Sequence, residues 1–421
     1  MTAHRNFYRF TSPLLTVAGH DALEELPGLL RSLDMLHPLI LTDPGVRRAG
    51  LMDMVSAILK SQEDIIGDTW FDQIPPDSDT DIIAQAAQVY REKGCTGLLA
   101  VGGGSVIDTT KGVRILVSLG GEHLRDYQGA DTISSQLVPM AAVPTTSGTG
   151  SEATLVAVIK DARNKRKLAF TSPSLIPSAA ILDSRMTLTL PPAITAATGM
   201  DALAHAVEAY TGLGRNPISD SYALKAIELI VSTLPEVIEH PDNQEARLQM
   251  AVASHLAGSA FSNSMVGIVH TLGHCVGARC GIPHGICMSI LLPYGMTYNL
   301  HRCRERFGKL LQVLSGKSVY LETSEDKRPE GAVAAVKALA SRLHMLTDGA
   351  HPLRLRDILD RSGHPIMKPQ HIPVIASDAL GDPSHLYNPE EVSLDELISV
   401  LRAAYWGYPL DKDLVKLGHQ K

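Results

Sequence analysis

Along its first half the chain alternates short apolar, β-branched runs with stretches of helical period. LLTVA (Leu14 to Ala18) reads as a strand, DALEELPGLLRSL from Asp21 as an amphipathic helix, and Leu39 to Thr42 as a second strand. GLLAV (Gly97 to Val101) runs straight into GGGSVIDTTKG, and LVPMAAVP leads into TTSGTGSE. TLVAVIKDARNKRKLAF predicts a hairpin with ARNKR as its charged turn and Lys167 at the start of the returning strand. Strands alternating with helices imply a parallel sheet with helices on both faces.

The pattern changes at LTLPPAITAATGMDA, where Pro191 and Pro192 suit a helix start and beyond which no strand pattern remains. Helices are expected at about 192–212, 217–233, 244–278 with a break, 284–298, 302–314, 331–344 and 393–406. The stretches 315–330 and 345–388 read as loops with short helices, which makes His351, His364, His371 and His385 surface or loop residues. Leu248 to Ala278 contains no Asp, Glu, Lys or Arg, so its helices should be deeply buried. His255, Asn263, His270 and His274 interrupt that run too often for a bilayer span. The expected domains are 1–190, α/β, and 191–421, all-helical.

Candidate chemistry concentrates between Gly199 and Gly285. Asp201 and His205 stand four apart, as do His270 and His274, so each pair shares a helix face. His284 follows in the turn IPHG. One carboxylate oxygen with several imidazoles suits Fe(II), Zn(II) or Co(II) and suits Ca(II) or Mg(II) poorly. Spacing leaves open which imidazoles would be ligands. In the first half, Gly102, Gly103, Gly104 and Ser105 sit where a strand gives way to a helix, a place for an anion, although the order is not GxGxxG. Asp43, after an earlier strand, would accept hydrogen bonds from an adenosine ribose and repel a 2′-phosphate, or would simply cap the TDPG turn. Thr145, Thr146, Ser147, Thr149 and Ser151 offer hydroxyls for a second side of a dinucleotide.

A net charge of -7 over 421 residues, without a long basic run, argues against nucleic acid or an anionic membrane as partner. The five cysteines, at 95, 275, 280, 287 and 303, form no disulfide or zinc-knuckle framework and are taken as core residues. MTAHRNFYRF has no apolar signal-peptide core, so a cytoplasmic location is expected.

PTTSGTGSE (Pro144 to Glu152), ATGMDALAHAVEAY (Ala197 to Tyr210), NPISDSYALKAIE (Asn216 to Glu228), AGSAFSNSMVGIVHTLGH (Ala257 to His274) and IPHGICMSILLPYGMTYN (Ile282 to Asn299) together resemble the iron-containing, group III alcohol dehydrogenases. The resemblance implies a dehydroquinate-synthase-like architecture, with a Rossmann-like dinucleotide-binding domain followed by a helical metal-binding domain. It implies Asp201, His205, His270 and His284 as metal ligands, and His274 as the residue facing nicotinamide and substrate. Gly103, Gly104, Ser105 and Asp108 match the family's pyrophosphate turn, Thr145, Thr146 and Thr149 its second cofactor loop, and Lys167 its cofactor-contacting lysine. Fe(II) is the implied ion, with Zn(II) as the alternative, and a homo-oligomer is expected.

Departures from the family pattern are Pro75 in place of an asparagine, Tyr294 in place of a histidine, the loss of the arginine after Asn388 and Pro389, and a longer segment at 315–330. The expected activity is NAD(H)-linked dehydrogenation of a small alcohol or reduction of an aldehyde, with an ion favouring the ionised alcohol and His274 relaying the proton. A hydroxyacid–oxoacid transhydrogenase, a zinc-dependent polyol dehydrogenase and a non-catalytic metal-binding protein are the rival readings.

Overall fold

Among the described residues nine strands form: β1 (Leu15–Gly19), β2 (Pro38–Leu41), β3 (Trp70–Phe71), β4 (Gly97–Gly102), β5 (Gly129–Ala130), β6 (Met140–Pro144), β7 (Val156–Asp161), β8 (Arg166–Thr171) and β9 (Ala179–Asp183). The computed structural model describes residues 7–410 apart from 78, 122, 134 and 162–165, so most of the expected hairpin turn lies outside the described residues. Six strands pair in the order β1-β9-β6-β4-β2-β3, all parallel, and β7 pairs antiparallel with β8 beside β5 in a second sheet. β2, β4, β6 and β9 are buried at every position, as parallel strands covered on both faces must be. Successive residues feed opposite cores. Leu98, Ala100, Met140 and Ala142 join one cluster, while Leu99, Val101, Ala141 and Val143 join the other.

The helices are α1 (Leu26–Ser32), α2 (Pro44–Arg48), α3 (Leu51–Lys60), α4 (Thr80–Lys93), α5 (Gly104–Leu119), α6 (Pro192–Thr211), α7 (Pro217–Glu239), α8 (Gln244–Ser262), α9 (Ile268–Cys280), α10 (His284–Glu322), α11 (Arg328–Leu346), α12 (Ile372–Ala379) and α13 (Leu394–Trp406). The stretch expected to be loop from Ser315 is helical as far as Glu322, resuming after non-helical backbone at Gly316 (φ 84°). Cys303 is a second irregularity, separating what the sequence pattern treats as two helices. His351 is fully buried, with Nε2 2.7 Å from Ser289 Oγ, and is not a surface residue. No helix among the described residues is long and apolar enough to cross a membrane.

Two compact units emerge. Among the described residues, one holds Thr11–Leu190 and Asp242–Ser262; the other holds Pro191–Pro241 with residues 263–410 and 7–10. This differs from a single division at 190/191, because α8 leaves the helical half and packs on the α/β unit beside β9 and β1. The physical reason is close backbone contact: a Cβ on Gly258 would lie 2.5 Å from Gly150 O, and one on Gly150 2.7 Å from Gly258 Cα. Ser262 Oγ also accepts from Leu155 N–H (2.9 Å), and the His255 ring bridges Glu152 Oε1 (3.3 Å) and Thr16 Oγ1 (3.1 Å). The Phe10 ring packs at a tilt against that of Tyr222 in α7, their centroids 5.4 Å apart.

Candidate active site

Helix α6 presents Asp201, His205 and Glu208 at positions i, i+4 and i+7, which fall on one face. Its apolar and small neighbours bury that face almost completely, leaving Asp201 2% and His205 5% exposed. His270 comes from the first turn of α9 and His284 is the first residue of α10. One ligand atom from each of Asp201, His205, His270 and His284 lies within 4.8 Å of all the others. Asp201 Oδ1 is 3.3 Å from His284 Nε2 and 3.8 Å from both His270 Nε2 and His205 Nδ1.

Asp201 Oδ1 and His270 Nε2 are buried without a hydrogen-bond partner. Leaving such groups unmet costs about 1–3 kcal/mol each, so their convergence on one point fits a divalent cation. Among the protein groups alone, burial opposes the charge on Asp201, but the surrounding imidazoles hold its carboxyl well below the usual value. Burial likewise drives His205 well below the ordinary imidazole value, so it presents a neutral ring, the form that ligates a metal.

Glu208 orients His270. His270 Nδ1 donates to Glu208 Oε2 at 2.5 Å, and Val269 N–H donates to Oε1 at 2.8 Å. A carboxylate only accepts, so Nδ1 carries a proton and Nε2 is the nitrogen that a cation can claim by displacing its proton. Burial opposes a charge on His270, yet Asp201 and Glu208 raise its pKa to about 9.

His274, one turn further along α9, lies outside the four-residue cluster but against it, its ring stacked on that of His284 at 5.4 Å. Its Nδ1 is 2.9 Å from Asp382 Oδ2. Burial lowers the His274 pKa, with Asp382 opposing. Asp382 is held below the usual carboxylate range although burial works against its charge, because His274 and Ser384 hydrogen-bond to it.

The candidate cofactor residues lie in the α/β unit, most of them at the carboxyl ends of three adjacent strands, with Asp43 after β2, the glycine turn after β4 and the threonine loop after β6, while Asp108 lies within α5 and Lys167 on β8 of the second sheet. Open parallel sheets bind nucleotides at that edge. Gly103 caps α5 without a side-chain hydrogen bond. A Cβ on Gly104 would come within 2.7 Å of Thr149 Cγ2, and one on Gly103 within 3.2 Å of Thr146, so only glycines let turn and loop close together. Such a cradle at the positive end of a sixteen-residue helix fits a pyrophosphate.

Thr145 is buried, its N–H donating to Gly102 O (3.1 Å). Asp108 faces the loop: Oδ1 accepts from Ser151 Oγ (2.6 Å) and Oδ2 from Val158 N–H (3.0 Å), and burial raises its pKa. Lys167 Nζ is 3.7 Å from Asp77 Oδ1, and the Asp77 N–H donates to Ser105 Oγ (3.2 Å). Asp43 caps α2, with Oδ1 accepting from Gly45 N–H (2.6 Å) and Val46 N–H (3.0 Å).

Known proteins match this arrangement over nearly its whole length. Residues 13–184 fit the profile described as iron-containing alcohol dehydrogenase, and residues 195–405 that of the Fe-containing alcohol dehydrogenase family, C-terminal. The chain is 30% identical to alcohol dehydrogenase 4 of Saccharomyces cerevisiae, covering 94% of this chain and 98% of the relative. It is 32% identical to the NAD-dependent methanol dehydrogenase of Bacillus methanolicus, over 94% and 99%. The crystal structure of a 1,3-propanediol oxidoreductase superposes with a TM-score of 0.88 at 32% identity, covering 95% of this chain and 100% of that one. The chain therefore belongs to the iron-containing alcohol dehydrogenase family. Its class of reaction is the NAD(H)-linked, metal-dependent interconversion of alcohol and aldehyde.

Glu208 and Asp382 escaped the sequence reading. Glu208 continues the helical spacing of Asp201 and His205, a signal that is visible in GMDALAHAVEAY, whereas nothing local in GDPSH points to a residue 108 positions earlier.

Proposed function

We propose that the chain oxidises short primary alcohols and reduces the matching aldehydes with NAD(H), using Fe(II) held by Asp201, His205, His270 and His284. The observation carrying this reading is the burial of Asp201 Oδ1 and His270 Nε2, both without hydrogen bonds, inside a four-residue cluster. One carboxylate and three imidazoles also suit Zn(II), which binds such sites more tightly. A divalent ion there supplies Lewis acidity, and nicotinamide accepts or supplies the hydride.

The remaining work falls to the side chains. His205 presents a neutral nitrogen, and His270, its Nδ1 proton held by Glu208, gives up its Nε2 proton to an incoming cation. His274 takes the alcohol proton at Nε2 while Asp382 holds Nδ1. Gly103, Gly104, Ser105, Thr145, Thr146 and Thr149 bind the dinucleotide, with Asp108 bracing the loop and Lys167 beside the turn. Asp43 accepts from the adenosine ribose and disfavours a 2′-phosphate; of the two arginines in α2, Arg47 is paired with Asp72. Short substrates are favoured because the matched relatives are named for methanol and 1,3-propanediol. The five cysteines, none of them in a disulfide, favour a reducing cytoplasmic setting, and the family resemblance a homo-oligomer.

The test is NADH oxidation with a series of short aldehydes after anaerobic Fe(II) loading. Metal-dependent turnover is expected. Full activity in protein shown to be free of divalent ions would sink the reading, as would failure to bind NADH in a fluorescence titration.

A further inference from the structure

Helix α9, which carries both His270 and His274, is fastened along its length by one segment of the C-terminal region. At its start, Ile268 N–H donates to Asn388 Oδ1 at 3.2 Å. Asn388 is pinned in turn by a reciprocal amide pair with Asn299, 2.8 Å in each direction, and donates to Glu390 O at 2.7 Å. Midway, His274 meets Asp382. Near its end, Arg279 donates through Nε and Nη2 to Asp378 Oδ2 at 3.0 and 2.6 Å. The partners run 388, 382, 378 as the helix runs 268, 274, 279, so segment and helix lie antiparallel.

We infer that Asp382 is a positioning residue for the reaction, acting only through His274, with the 378–388 segment as the brace that holds it in place. The inference rests on the proposed relay role of His274. Two contacts hold the Asp382 carboxylate and a third holds the main chain beneath it. Its Oδ1 accepts from Ser384 N–H (2.9 Å), its Oδ2 from His274, and its backbone carbonyl oxygen from His385 Nδ1 (2.5 Å). An acceptor at Nδ1 keeps the proton there and leaves Nε2 free to take one, and it fixes the plane of the ring. Without it, the imidazole would adopt either tautomer and only one could accept the alcohol proton.

Replacing a tautomer-fixing carboxylate by an amide lowers turnover by as much as about 10⁴-fold where the histidine is the base. Here the loss is bounded by what His274 itself contributes, on the order of 10²-fold for a general acid–base group.

The experiment compares Asp382→Asn, His274→Ala and the double variant, each as metal-loaded full-length protein. Asparagine keeps the hydrogen bond to Ser384 N–H, since it caps as well as aspartate. The expected result is a kcat lowered about 10²-fold in Asp382→Asn, with KM and bound metal nearly unchanged. In the His274→Ala background the same substitution should add nothing, and Asp382→Glu, which retains a carboxylate, should recover part of kcat. Equal slowing by Asp382→Asn in both backgrounds would overturn the inference, as would an unchanged kcat beside a slow His274→Ala enzyme. A fully active His274→Ala enzyme would instead refute the relay role on which the inference stands. Should Asp382→Asn fail to fold, the kcat of Asp382→Glu with and without His274 decides by the same comparison.

Discussion

Glu208→Gln tests how much of the metal site depends on a side chain that is not itself a ligand. Glu208 accepts from Val269 N–H and His270 Nδ1 through separate oxygens. A glutamine amide offers one oxygen and one NH₂, so in either orientation one of those two donors faces another donor. A buried donor left unmet costs about 1–3 kcal/mol. If NH₂ faces the ring, His270 must move its proton to Nε2, which removes the lone pair a metal needs. Loss of such an outer partner typically weakens metal binding about 10–100-fold, equivalent to about 1.4–2.7 kcal/mol, so the two routes give the same range. Competition against a chromophoric chelator with Zn(II) measures this without any assay of activity. Glu208→Gln should fall in that range, with Glu208→Asp between it and the unmodified protein. Wild-type affinity in a folded Glu208→Gln protein would show that Glu208 does not set the state of His270.

Two further outcomes follow from other parts of the molecule. Burial holds the fully enclosed His351 down to about 4, against 6.5 when exposed, so the folded state resists a proton that the unfolded state accepts. Stability is therefore complete above pH 6.5 and falls as pH drops toward about 4, by about 3 kcal/mol in all. Urea unfolding at neutral pH and at about pH 5 should show His351→Gln losing about 2 kcal/mol less than the unmodified protein over that span, and equal losses would contradict this. Asp43→Gly should lower the preference for NADH over NADPH about tenfold or more, judged by kcat/KM, because it removes both the ribose acceptor and the like charge. Glycine replaces a capping residue at a cost of only a few tenths of a kcal/mol, so a constant ratio would mean that Asp43 serves only α2.

The pair Asp201 and His205 was legible because a helix turns fixed spacing into a shared face, and the glycine turn because a strand leads directly into it. His270 and His274 have the same spacing, yet their surroundings differ: one meets Glu208, the other Asp382. Those partners lie 62 and 108 positions away, beyond any local pattern. β9 was missed because AAILD is a short apolar run without alternation, the form a central parallel strand takes. The charged 315–330 stretch reads as loop, although its helix is a largely exposed one that polar residues suit. His351 lies in a stretch rich in glycine and proline, and its burial is decided by Ser289 and Thr347.

The return of α8 to the α/β unit sets where this chain can be recombined with another. A fragment ending at Leu190 would bare the Gly150 backbone, leave the Leu155 N–H without its acceptor and strand the nearly buried Glu152 carboxylate without its imidazole. A graft of foreign helices at that seam would fail for the same reason. Exchange of the metal-bearing half between relatives has to spare residues 242–262, so the workable seams come as a set, at 190/191, 241/242 and 262/263, with Phe10 travelling with the α7 helix it touches.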